Sequence, residues 1–414
     1  MTCSNNSTDN KLPAIAGGSP AKSEPFGSGK RYLEEEMTQL REVLDQGTLF
    51  YAHGKKVHEM EQRFTQIMGT KYAVATSSGT ASIHAAMMAA GISPGDEVIV
   101  TPITDMGSLV PILWQGAVPI FADVDPHSYV IDPKSVEKCI TDKTRAVLAV
   151  HLWGNACDLN AMKPLCDEHG IFLIEDCAQA WGCTYDEKYI GTIGDMGCFS
   201  LNEFKHISCG DGGVVITNDD NLARRLRLST DKCYDREPGK AMRRAFFLAN
   251  NYRMTELQGA VALAQSHRLE SIVSKRRSWA TKLNERLSDV KGIFTPKPTA
   301  GCDPSWWFYM LRIDPTAFKA NTDEFAKALQ AEGLGAGAHY IAQCVYEYPI
   351  FADHSAFDHG DHPFSRVNYG KGMCPMAESV LETAITLPVN ENFTDKDLEE
   401  TVEAIVKVAD WFRV

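Results

Sequence analysis

The sequence lacks the features that mark a protein for binding to nucleic acids or membranes. It has no extended Lys- and Arg-rich run, and its 414 residues carry a formal net charge of −13. Binding to a phosphate backbone or to an anionic lipid surface requires a clustered basic excess. No apolar segment approaches the roughly 18–20 residues that a membrane-spanning helix needs. We therefore expect small-molecule partners, with no nucleic acid and no membrane.

Cysteine pairs at metal-binding spacing are also missing. The 12 cysteines are scattered and none stands in a C-x-x-C motif, which is the spacing typical of structural zinc sites. Several, such as Cys139, Cys177 and Cys198, lie within apolar runs, where cysteine behaves as a small hydrophobic residue. Residues 1–25 lack the charged-then-apolar order of a secretory signal. We predict no metal, reduced thiols and a cytoplasmic location.

Short apolar segments alternate with helix-like segments from about Lys71 onward. The strand-like segments are almost continuously apolar, which is typical of a parallel sheet covered by helices on both faces. Regular alternation of strands and helices predicts an α/β fold. The predicted strands span residues 72–76, 97–103, 118–125, 145–154, 171–180, 197–202 and 213–219, and the predicted helices between them span residues 79–90, 132–140 and 159–170.

The pattern changes after Asp219, where longer helical stretches and a mixed region follow. We predict one or two long helices over residues 250–287 and a final helix from about Asp395. A strand (308–313), a helix (322–333) and a loop-rich stretch (339–375) lie between them, as in a small α+β domain. The chain length favours two or three domains. We predict a lead-in over 1–30, a large α/β domain over 31–265, and a long linking helix with a small α+β domain over 266–414.

Polar residues follow several of the predicted strands. Ser77-Ser78-Gly79-Thr80 comes after the first strand, and Asp105 comes after the second. His151 lies near the end of a third strand, and Asp176 and Gln179 lie near the end of a fourth. In open α/β sheets, ligands bind beyond the carboxyl ends of the strands. We therefore expect the functional site at this edge of the sheet.

Three elements of this edge have both an ordinary and a functional interpretation. The SSGTAS segment (77–82) is either a helix cap or an anion site at a helix N-terminus. Asp176 caps a neighbour or holds a metal, a ribose or a protonated ring nitrogen. Lys205 stands between the strand-like GCFSLN and the glycine-rich GDGG. It is either a solvated surface lysine or a lysine that bonds covalently to a carbonyl.

Together these elements fit one chemistry. A phosphate cradle, an acid for a ring nitrogen and a lysine for an aldehyde are the three fixed points of a pyridoxal phosphate (PLP) site. The lysine must lose its proton to react, and burial or neighbouring cations lower its pKa. An aspartate beside the pyridine nitrogen would keep that nitrogen protonated, so that the ring can accept electrons.

The motifs resemble those of the DegT/DnrJ/EryC1/StrS aminotransferases, the sugar aminotransferase or AHBA synthase-like family of PLP-dependent enzymes. The resemblance implies fold type I, with a mostly parallel seven-stranded sheet in the large domain and a smaller C-terminal α+β domain. It runs from about Ala14 to the C-terminus. Its motifs are SSGTAS (77–82), GISPGDEVIVTP (91–102), GAVPIFADVD (116–125), AVHLWGNACDLNAM (149–162), IEDCAQAWG (174–182), GDMGCFSLNEFKHISCGDGGVVITND (194–219), NYRMTELQGAVAL (251–263) and CPMAE (374–378).

The resemblance also implies roles for individual residues. Lys205 would form a Schiff base with the cofactor and move the proton of the substrate. Asp176 would pair with the pyridinium nitrogen, and Gln179 would contact the ring hydroxyl. Asn251 would reach the phosphate from the neighbouring subunit, which implies a homodimer with a shared active site. The residues implied to bind phosphate within the chain are Gly79, Thr80 and Ser200.

The sequence departs from the family pattern after the strand that ends in Thr101-Pro102. The family usually has an aromatic residue there that stacks on the cofactor ring, whereas this chain has Asp105. Either Asp105 or Met106 packs against the ring, or another residue does. Dehydratases of the family replace the lysine by histidine. Because Lys205 is present, the sequence favours transamination, and His206 should not be mistaken for that histidine.

The resemblance implies an aminotransferase that moves an amino group from an amino acid, glutamate or glutamine, to a nucleotide-linked keto sugar or a cyclitol ketone. The alternatives are a PLP-dependent sugar dehydratase or lyase, and a non-catalytic cofactor-binding regulatory protein. We expect specificity to lie in the loops 47–54, 234–243 and 339–349. Tyr51, Trp153 and Tyr340 are candidates for lining the substrate pocket, or they are ordinary packing aromatics.

Overall fold

The computed structural model describes residues 12–236, 244–359 and 362–414. The segments 1–11 of the lead-in, 237–243 of one predicted specificity loop and 360–361 of the loop-rich stretch lie outside the described residues. The helices are α1 (Glu34–Asp45), α2 (Lys56–Met68), α3 (Gly79–Ala90), α4 (Met106–Trp114), α5 (Pro133–Cys139), α6 (Leu159–His169), α7 (Asp220–Thr230), α8 (Glu256–Ser266), α9 (Leu269–Leu287), α10 (Thr322–Ala331), α11 (Pro349–Ala352), α12 (Pro375–Thr383) and α13 (Asp395–Phe412).

The strands form three sheets. The list in chain order is β1 (Tyr72–Thr76), β2 (Glu97–Val100), β3 (Val118–Phe121), β4 (Thr144–Val150), β5 (Phe172–Asp176), β6 (Thr184–Tyr185), β7 (Lys188–Tyr189), β8 (Met196–Ser200), β9 (Gly213–Thr217), β10 (Ile293–Phe294), β11 (Cys302–Asp303), β12 (Phe308–Ile313), β13 (Gly337–Ala338) and β14 (Ala384–Pro388).

The large sheet has seven strands in the order β1-β9-β8-β5-β4-β2-β3. The pairs β2–β3, β2–β4, β4–β5 and β5–β8 are parallel, and β9 is antiparallel to both β1 and β8. Its central strands are buried on both faces, since every residue of β8 and β9 is buried. The predicted α/β class and the mostly parallel seven-stranded sheet are therefore confirmed.

The predicted strands run past the observed ends of the sheet. Strands predicted over 97–103, 118–125, 145–154 and 171–180 end at Val100, Phe121, Val150 and Asp176. The physical reason is that the chain turns away from the sheet at these points. After β4, residues 152–154 form a short 3₁₀ turn, and after β5 the peptide N–H of Ala180 donates to the carbonyl of Cys177. The residues of the site thus lie at the ends of the strands and on the turns that follow them.

Smaller sheets accompany the large one. The sheet β10-β12-β14-β13 is antiparallel and belongs to the C-terminal part of the chain. The sheet β11-β6-β7 joins residues 302–303 to the hairpin at 184–189. The region predicted as one or two long helices contains two, α8 and α9, and they begin at Glu256 rather than at 250. The domain limits at 30 and 265 stay predictions.

The described part of the lead-in packs against the C-terminal part of the chain. The buried ammonium of Lys22 lies 2.5 Å from a carboxylate oxygen of Asp397 and 2.8 Å from one of Glu400. The backbone N–H groups of Ala14 and Ala21 both donate to the Glu332 carboxylate at 2.7 Å. Burial alone would raise the pKa of Asp397, but the hydrogen bond from Lys22 lowers it to about 2. These contacts fix residues 12–30 to α10 and α13.

Replacing Lys22 is therefore expected to destabilise the fold. Lys22→Ala leaves Asp397 ionised at pH 7 and buried without its cation, which costs about 3–5 kcal/mol of unfolding free energy. Urea denaturation followed by circular dichroism measures this loss. The matched control is Lys282→Ala, because Lys282 pairs with Asp395 at 3.0 Å on the surface, where both side chains are at least half exposed. Its cost should stay below about 1 kcal/mol, and equal losses for both variants would contradict the prediction.

Candidate active site

A cavity of about 420 Å³ lies beyond the carboxyl ends of the large sheet. Turns that follow β1, β2, β5 and β8 contribute its walls, together with Trp307 and Tyr340 from the C-terminal part of the chain. The cavity brings together all of the predicted cofactor residues except Asn251. These are Gly79, Thr80, Asp105, Asp176, Gln179, Ser200 and Lys205.

One end of the cavity is formed by the N-terminus of α3. The Ser78 hydroxyl accepts a hydrogen bond from the Ala81 N–H at 3.1 Å and so caps the helix. Gly79 lies against Ser200, because a Cβ at position 79 would stand 2.7 Å from the Ser200 Cβ. The helix dipole and the unpaired N–H groups of the first turn favour an anion here. Gly79 and the hydroxyls of Thr80 and Ser200 thus form a cradle that suits a phosphate group.

Asp176 is the buried acid of the cavity, with 3% of its surface exposed. The Ser108 hydroxyl donates to one carboxylate oxygen at 2.7 Å, and the Ala178 N–H donates to the other at 3.0 Å. Burial raises the pKa of Asp176, while these two hydrogen bonds and the positive charge of Lys205 counteract part of the rise. Ser108, which in turn contacts the Thr104 hydroxyl at 2.8 Å, was not found by sequence reasoning. The carboxylate is held in one orientation and suits a cationic N–H.

Lys205 reaches the same cavity from the turn after β8. Burial lowers the pKa of its amine to about 8, although the carboxylates of Asp176 and Asp105 act in the opposite direction. Its Nζ lies 3.8 Å from the ring centroid of Trp307, a distance at which an indole face attracts an ammonium. The Arg31 guanidinium donates to the Lys205 carbonyl. The site therefore holds a lysine that is partly neutral close to physiological pH.

Trp307 is a second residue that sequence reasoning missed. Its indole N–H donates to the Phe204 carbonyl at 2.8 Å, and its backbone N–H donates to the Trp153 carbonyl at 2.9 Å. These bonds attach the segment before β12 to the turn that carries Lys205 and to the 3₁₀ turn after β4. The only signal in the sequence is the Trp306-Trp307 pair before a strand-like run, which does not reveal a contact with a residue about a hundred positions earlier.

Gln179 makes two hydrogen bonds that set its amide. The side-chain oxygen accepts from the Trp153 N–H at 2.9 Å, and the side-chain nitrogen donates to the Tyr340 hydroxyl at 3.1 Å. Tyr340 lines the cavity and stacks on Phe308 with ring centroids 4.8 Å apart. Trp153 is completely buried and packs on Trp306. Of these two candidates for lining the substrate pocket, Tyr340 faces the cavity and Trp153 is a packing aromatic.

Asp105 occupies the position where an aromatic residue was expected. Its carboxylate accepts from the Gly107 N–H at 2.7 Å and so caps α4, and it also lines the cavity. Met106, the other residue considered for the ring contact, does not line it. The aromatic side chains that do line it are those of Phe204, Trp307 and Tyr340.

Asn251 and Tyr51 lie outside this cavity. Asn251 is exposed and forms an isolated β-bridge with Asp231. The Tyr51 hydroxyl donates to the Asp231 carboxylate at 2.9 Å and lines a separate hollow of about 390 Å³ with Arg227 and Arg236. Within one described chain, nothing brings Asn251 to the cradle at α3.

Behind the site lies a buried group that has metal-ligating residue types, His151, Glu175 and Cys177. Its polar atoms already have protein partners. The Glu175 carboxylate accepts from the N–H groups of Gly191, Ile193 and Gly194 at 2.6–3.0 Å and contacts His151 at 3.0 Å. His151, predicted among the polar residues of the sheet edge, therefore supports Glu175 and does not line the cavity. The arrangement holds strand β5 in place.

Comparison with known proteins identifies the family whose pattern the chain follows. The model of the DegT/DnrJ/EryC1/StrS aminotransferase family matches residues 31–406. The spore coat polysaccharide biosynthesis protein SpsC of Bacillus subtilis is 31% identical over 388 residues, which cover 91% of this chain and 96% of that protein. No helix among the described residues has the length and apolar character needed to cross a bilayer.

Solved structures give the same result. The sugar aminotransferase CalS13 from Micromonospora echinospora is 26% identical with a TM-score of 0.78, covering 92% of this chain and 98% of that one. DesI, solved in the presence of its TDP-sugar product, is 26% identical with a TM-score of 0.80, covering 96% of both chains. The fold type I architecture expected from the sequence is thus confirmed.

The reactivity of Lys205 tests the electrostatics of the cavity without any cofactor. In cofactor-free protein, acylation of Lys205 should reach half of its maximal rate at pH about 8, because below that pH the ammonium form predominates and cannot react. Asp105→Asn removes a carboxylate that favours the ammonium and should lower this midpoint by less than about one pH unit, since a charge in a solvent-open cavity contributes about 1 kcal/mol.

Peptide mass spectrometry after short acylation pulses measures the rate, with the exposed Lys134 as an internal reference. Asparagine can still accept the Gly107 N–H, so α4 should keep its cap. A wild-type midpoint at the ordinary lysine value of 10.5, or an Asp105→Asn midpoint above the wild-type one, would contradict the prediction.

Proposed function

The chain belongs to the DegT/DnrJ/EryC1/StrS aminotransferase family, and we propose that it moves an amino group from glutamate or glutamine to the ketone of a nucleotide-linked sugar or a cyclitol. The chain is a PLP-dependent transaminase. The observation that carries the proposal is a single cavity containing a phosphate cradle, a buried acid and a lysine whose pKa burial lowers to about 8.

The residues of the cavity fit pyridoxal phosphate. Bound pyridoxal phosphate supplies an aldehyde that amines attack and a ring that takes up electrons from the carbon beside the nitrogen. Gly79, Thr80 and Ser200 would hold the phosphate at the N-terminus of α3. Asp176 would hold the proton on the ring nitrogen, with its carboxylate oriented by Ser108 at 2.7 Å.

Lys205 would act twice in each half of the reaction. As a neutral amine it would bond to the aldehyde, and after an amino acid displaces it, its freed amine would carry the proton of the substrate carbon. A pKa of about 8 suits both tasks, because each protonation state is accessible near neutral pH. Gln179 would contact the ring hydroxyl, since its amide is set between Trp153 and Tyr340.

The acceptor is proposed from the relatives and from the cavity lining. A sugar aminotransferase and an enzyme solved with its TDP-sugar product share the fold over more than nine-tenths of the chain. Tyr340 and Trp307 offer aromatic faces, and Asp105 offers a carboxylate that can accept hydrogen bonds from ring hydroxyls. We assign the acceptor contacts to these three residues, and the loop 339–349 that carries Tyr340 to specificity.

We propose a homodimer in which Asn251 of one copy reaches the phosphate in the other copy. The support is its position, because Asn251 is exposed and remote from the cradle of its own chain. Within one chain, Lys205 is the only lysine or arginine that lines the cavity in the described part of the protein, and a phosphate would benefit from donors contributed by a partner. Residence in the cytoplasm stays a prediction from the sequence.

A PLP-dependent sugar dehydratase or lyase is the alternative within catalysis. Lys205 argues against it, since the dehydratases of the family carry histidine in its place. His206 does not take that role here. It is buried, its Nε2 lies 3.0 Å from the Ser305 carbonyl, and burial holds its pKa well below the usual value. A non-catalytic cofactor-binding protein would have no need of an amine whose pKa is lowered.

Absorbance spectroscopy tests the chemistry directly. The purified protein with added pyridoxal phosphate should show the visible band of lysine-bound cofactor, and the band should disappear on addition of glutamate or glutamine as the amino group is taken up. Lys205→Ala should lack the band, whereas Lys163→Ala, which removes a surface lysine paired with Asp167, should keep it.

Each spectral outcome decides between the functions. A protein that stays colourless with the cofactor would refute the mechanism. A coloured protein that ignores every amino donor but eliminates water from a sugar would favour the dehydratase or lyase. A coloured protein inert towards donors and sugars alike would favour the non-catalytic alternative.

Combining two impaired variants in one dimer tests the shared site. Asn251→Ala should weaken cofactor binding at least about tenfold, the effect of one lost hydrogen bond to a charged group. Lys205→Ala should abolish transfer. If Asn251 acts on the neighbouring copy, a mixed dimer contains one site with both native residues. Activity at limiting cofactor should therefore return when the variants are co-expressed with different tags and the hybrid is purified. A hybrid as inactive as its parents, or a monomeric protein with full activity, would contradict the shared site.

A further inference from the structure

Cys183 and Cys302 are distant in sequence but adjacent in the fold. Their Sγ atoms lie 3.6 Å apart, and both thiols are free. The contact arises because β11, which contains Cys302, pairs with β6, which begins one residue after Cys183. We propose that this pair is a thiol oxidation site, at which a hydroperoxide converts the two cysteines into a reversible disulfide.

Cys302 is the sulfur suited to react first. It is only half-buried, and its Sγ accepts a hydrogen bond from the Ala156 N–H at 3.2 Å. The guanidinium of Arg277 pairs with the Asp303 carboxylate at 2.6 Å and donates to the Gly182 carbonyl at 3.2 Å, so it lies beside both ends of the pair. The susceptibility of a cysteine to oxidation rises with the exposure of its sulfur. Because it is the more exposed of the two, Cys302 is the cysteine that a hydroperoxide reaches first.

Cys183 is suited to react second. It is completely buried, and burial together with its hydrogen bond to Cys302 raises the pKa of its thiol well above the usual value. Its S–H also points towards the Thr184 carbonyl at 3.8 Å. A protonated thiol in contact with a more accessible cysteine is the arrangement of a resolving cysteine.

The oxidation would proceed in two steps. The Cys302 thiolate attacks one oxygen of the hydroperoxide, the O–O bond breaks, and the leaving oxygen takes up a proton, so that the sulfur is oxidised to a sulfenic acid and the peroxide is reduced. The Cys183 sulfur then attacks the Cys302 sulfur, the S–O bond breaks, and water leaves with the proton of Cys183. The sulfurs must approach by about 1.5 Å from their present 3.6 Å to reach bonding distance.

The site lies near the proposed catalytic machinery. Cys302 is five residues before Trp307, whose ring faces Lys205. Cys183 follows the turn that carries Gln179. Ser305 lies between Cys302 and Trp307 in the sequence, and its N–H donates to the Gly154 carbonyl at 2.9 Å. The disulfide would thus join two segments that both contribute to the wall of the cavity, but its formation requires neither cofactor nor turnover.

Mass spectrometry tests the proposal on the purified full chain. The protein is treated with hydrogen peroxide, free thiols are alkylated, and peptides are mapped without reduction. A peptide pair cross-linked through Cys183 and Cys302 is expected, and dithiothreitol should release it. Cys302→Ser should abolish this cross-link. Cys183→Ser should leave a Cys302 sulfenic acid that dimedone traps.

Cys139→Ser is the matched control, because Cys139 is also half-buried and its loss should leave the cross-link unchanged. Two results would overturn the proposal. One is that Cys183 and Cys302 remain fully alkylatable in the wild-type protein under conditions that oxidise other cysteines. The other is that Cys302 passes to sulfinic acid in the wild-type protein without forming the cross-link. Both are read on the wild-type chain and do not depend on whether a variant folds.

Discussion

The parallel pairing of β5 with β8 is the constraint on which the candidate site depends. Parallel strands end at the same edge of a sheet, and the register that places Asp176 opposite Cys198 brings the ends of both strands together. Ser200, the last residue of β8, and Lys205, on the turn that follows, then line the cavity that Asp176 enters from β5. β9 returns antiparallel between β8 and β1, and this brings Ser200 against Gly79 at the start of α3. The order and direction of the strands thus bring Gly79, Asp176, Ser200 and Lys205 to one cavity.

Two neighbouring acids on β5, Glu175 and Asp176, have different roles. Glu175 points away from the cavity, where three backbone N–H groups and His151 satisfy its carboxylate. Asp176 points into the cavity, where Ser108 and Ala178 leave it able to bind a further cationic N–H. Because successive side chains of a strand face opposite sides, Glu175 stabilises the strand while Asp176 lines the cavity. Burial acts on Asp176 and Lys205 in opposite directions, raising the pKa of the acid and lowering that of the amine.

The C-terminal part of the chain completes the cavity by covering the lysine. Trp307 and Tyr340 come from segments next to β12 and β13, yet they contact Lys205 and Gln179 of the large sheet. The small sheet β11-β6-β7 attaches the segment before Trp307 to the hairpin beyond Gln179, and it also brings the two cysteines together. The described part of the lead-in holds α10 and α13 from the other side through Lys22 and Glu332.

The sequence by itself determined the α/β class, the seven strands and the edge where Gly79, Asp176, Ser200 and Lys205 meet. Apolar runs, glycines and a polar residue at each strand end are local signals, and strand direction converts them into one site. The partners that complete the site were decided by tertiary structure. Ser108 beneath Asp176, Trp307 over Lys205 and Tyr340 on Gln179 are contacts between residues 68 or more positions apart in the chain, and no local pattern encodes them. The ends of the strands were also set by the folded chain, because apolar residues continue into the turns and only the turn geometry shows where pairing stops.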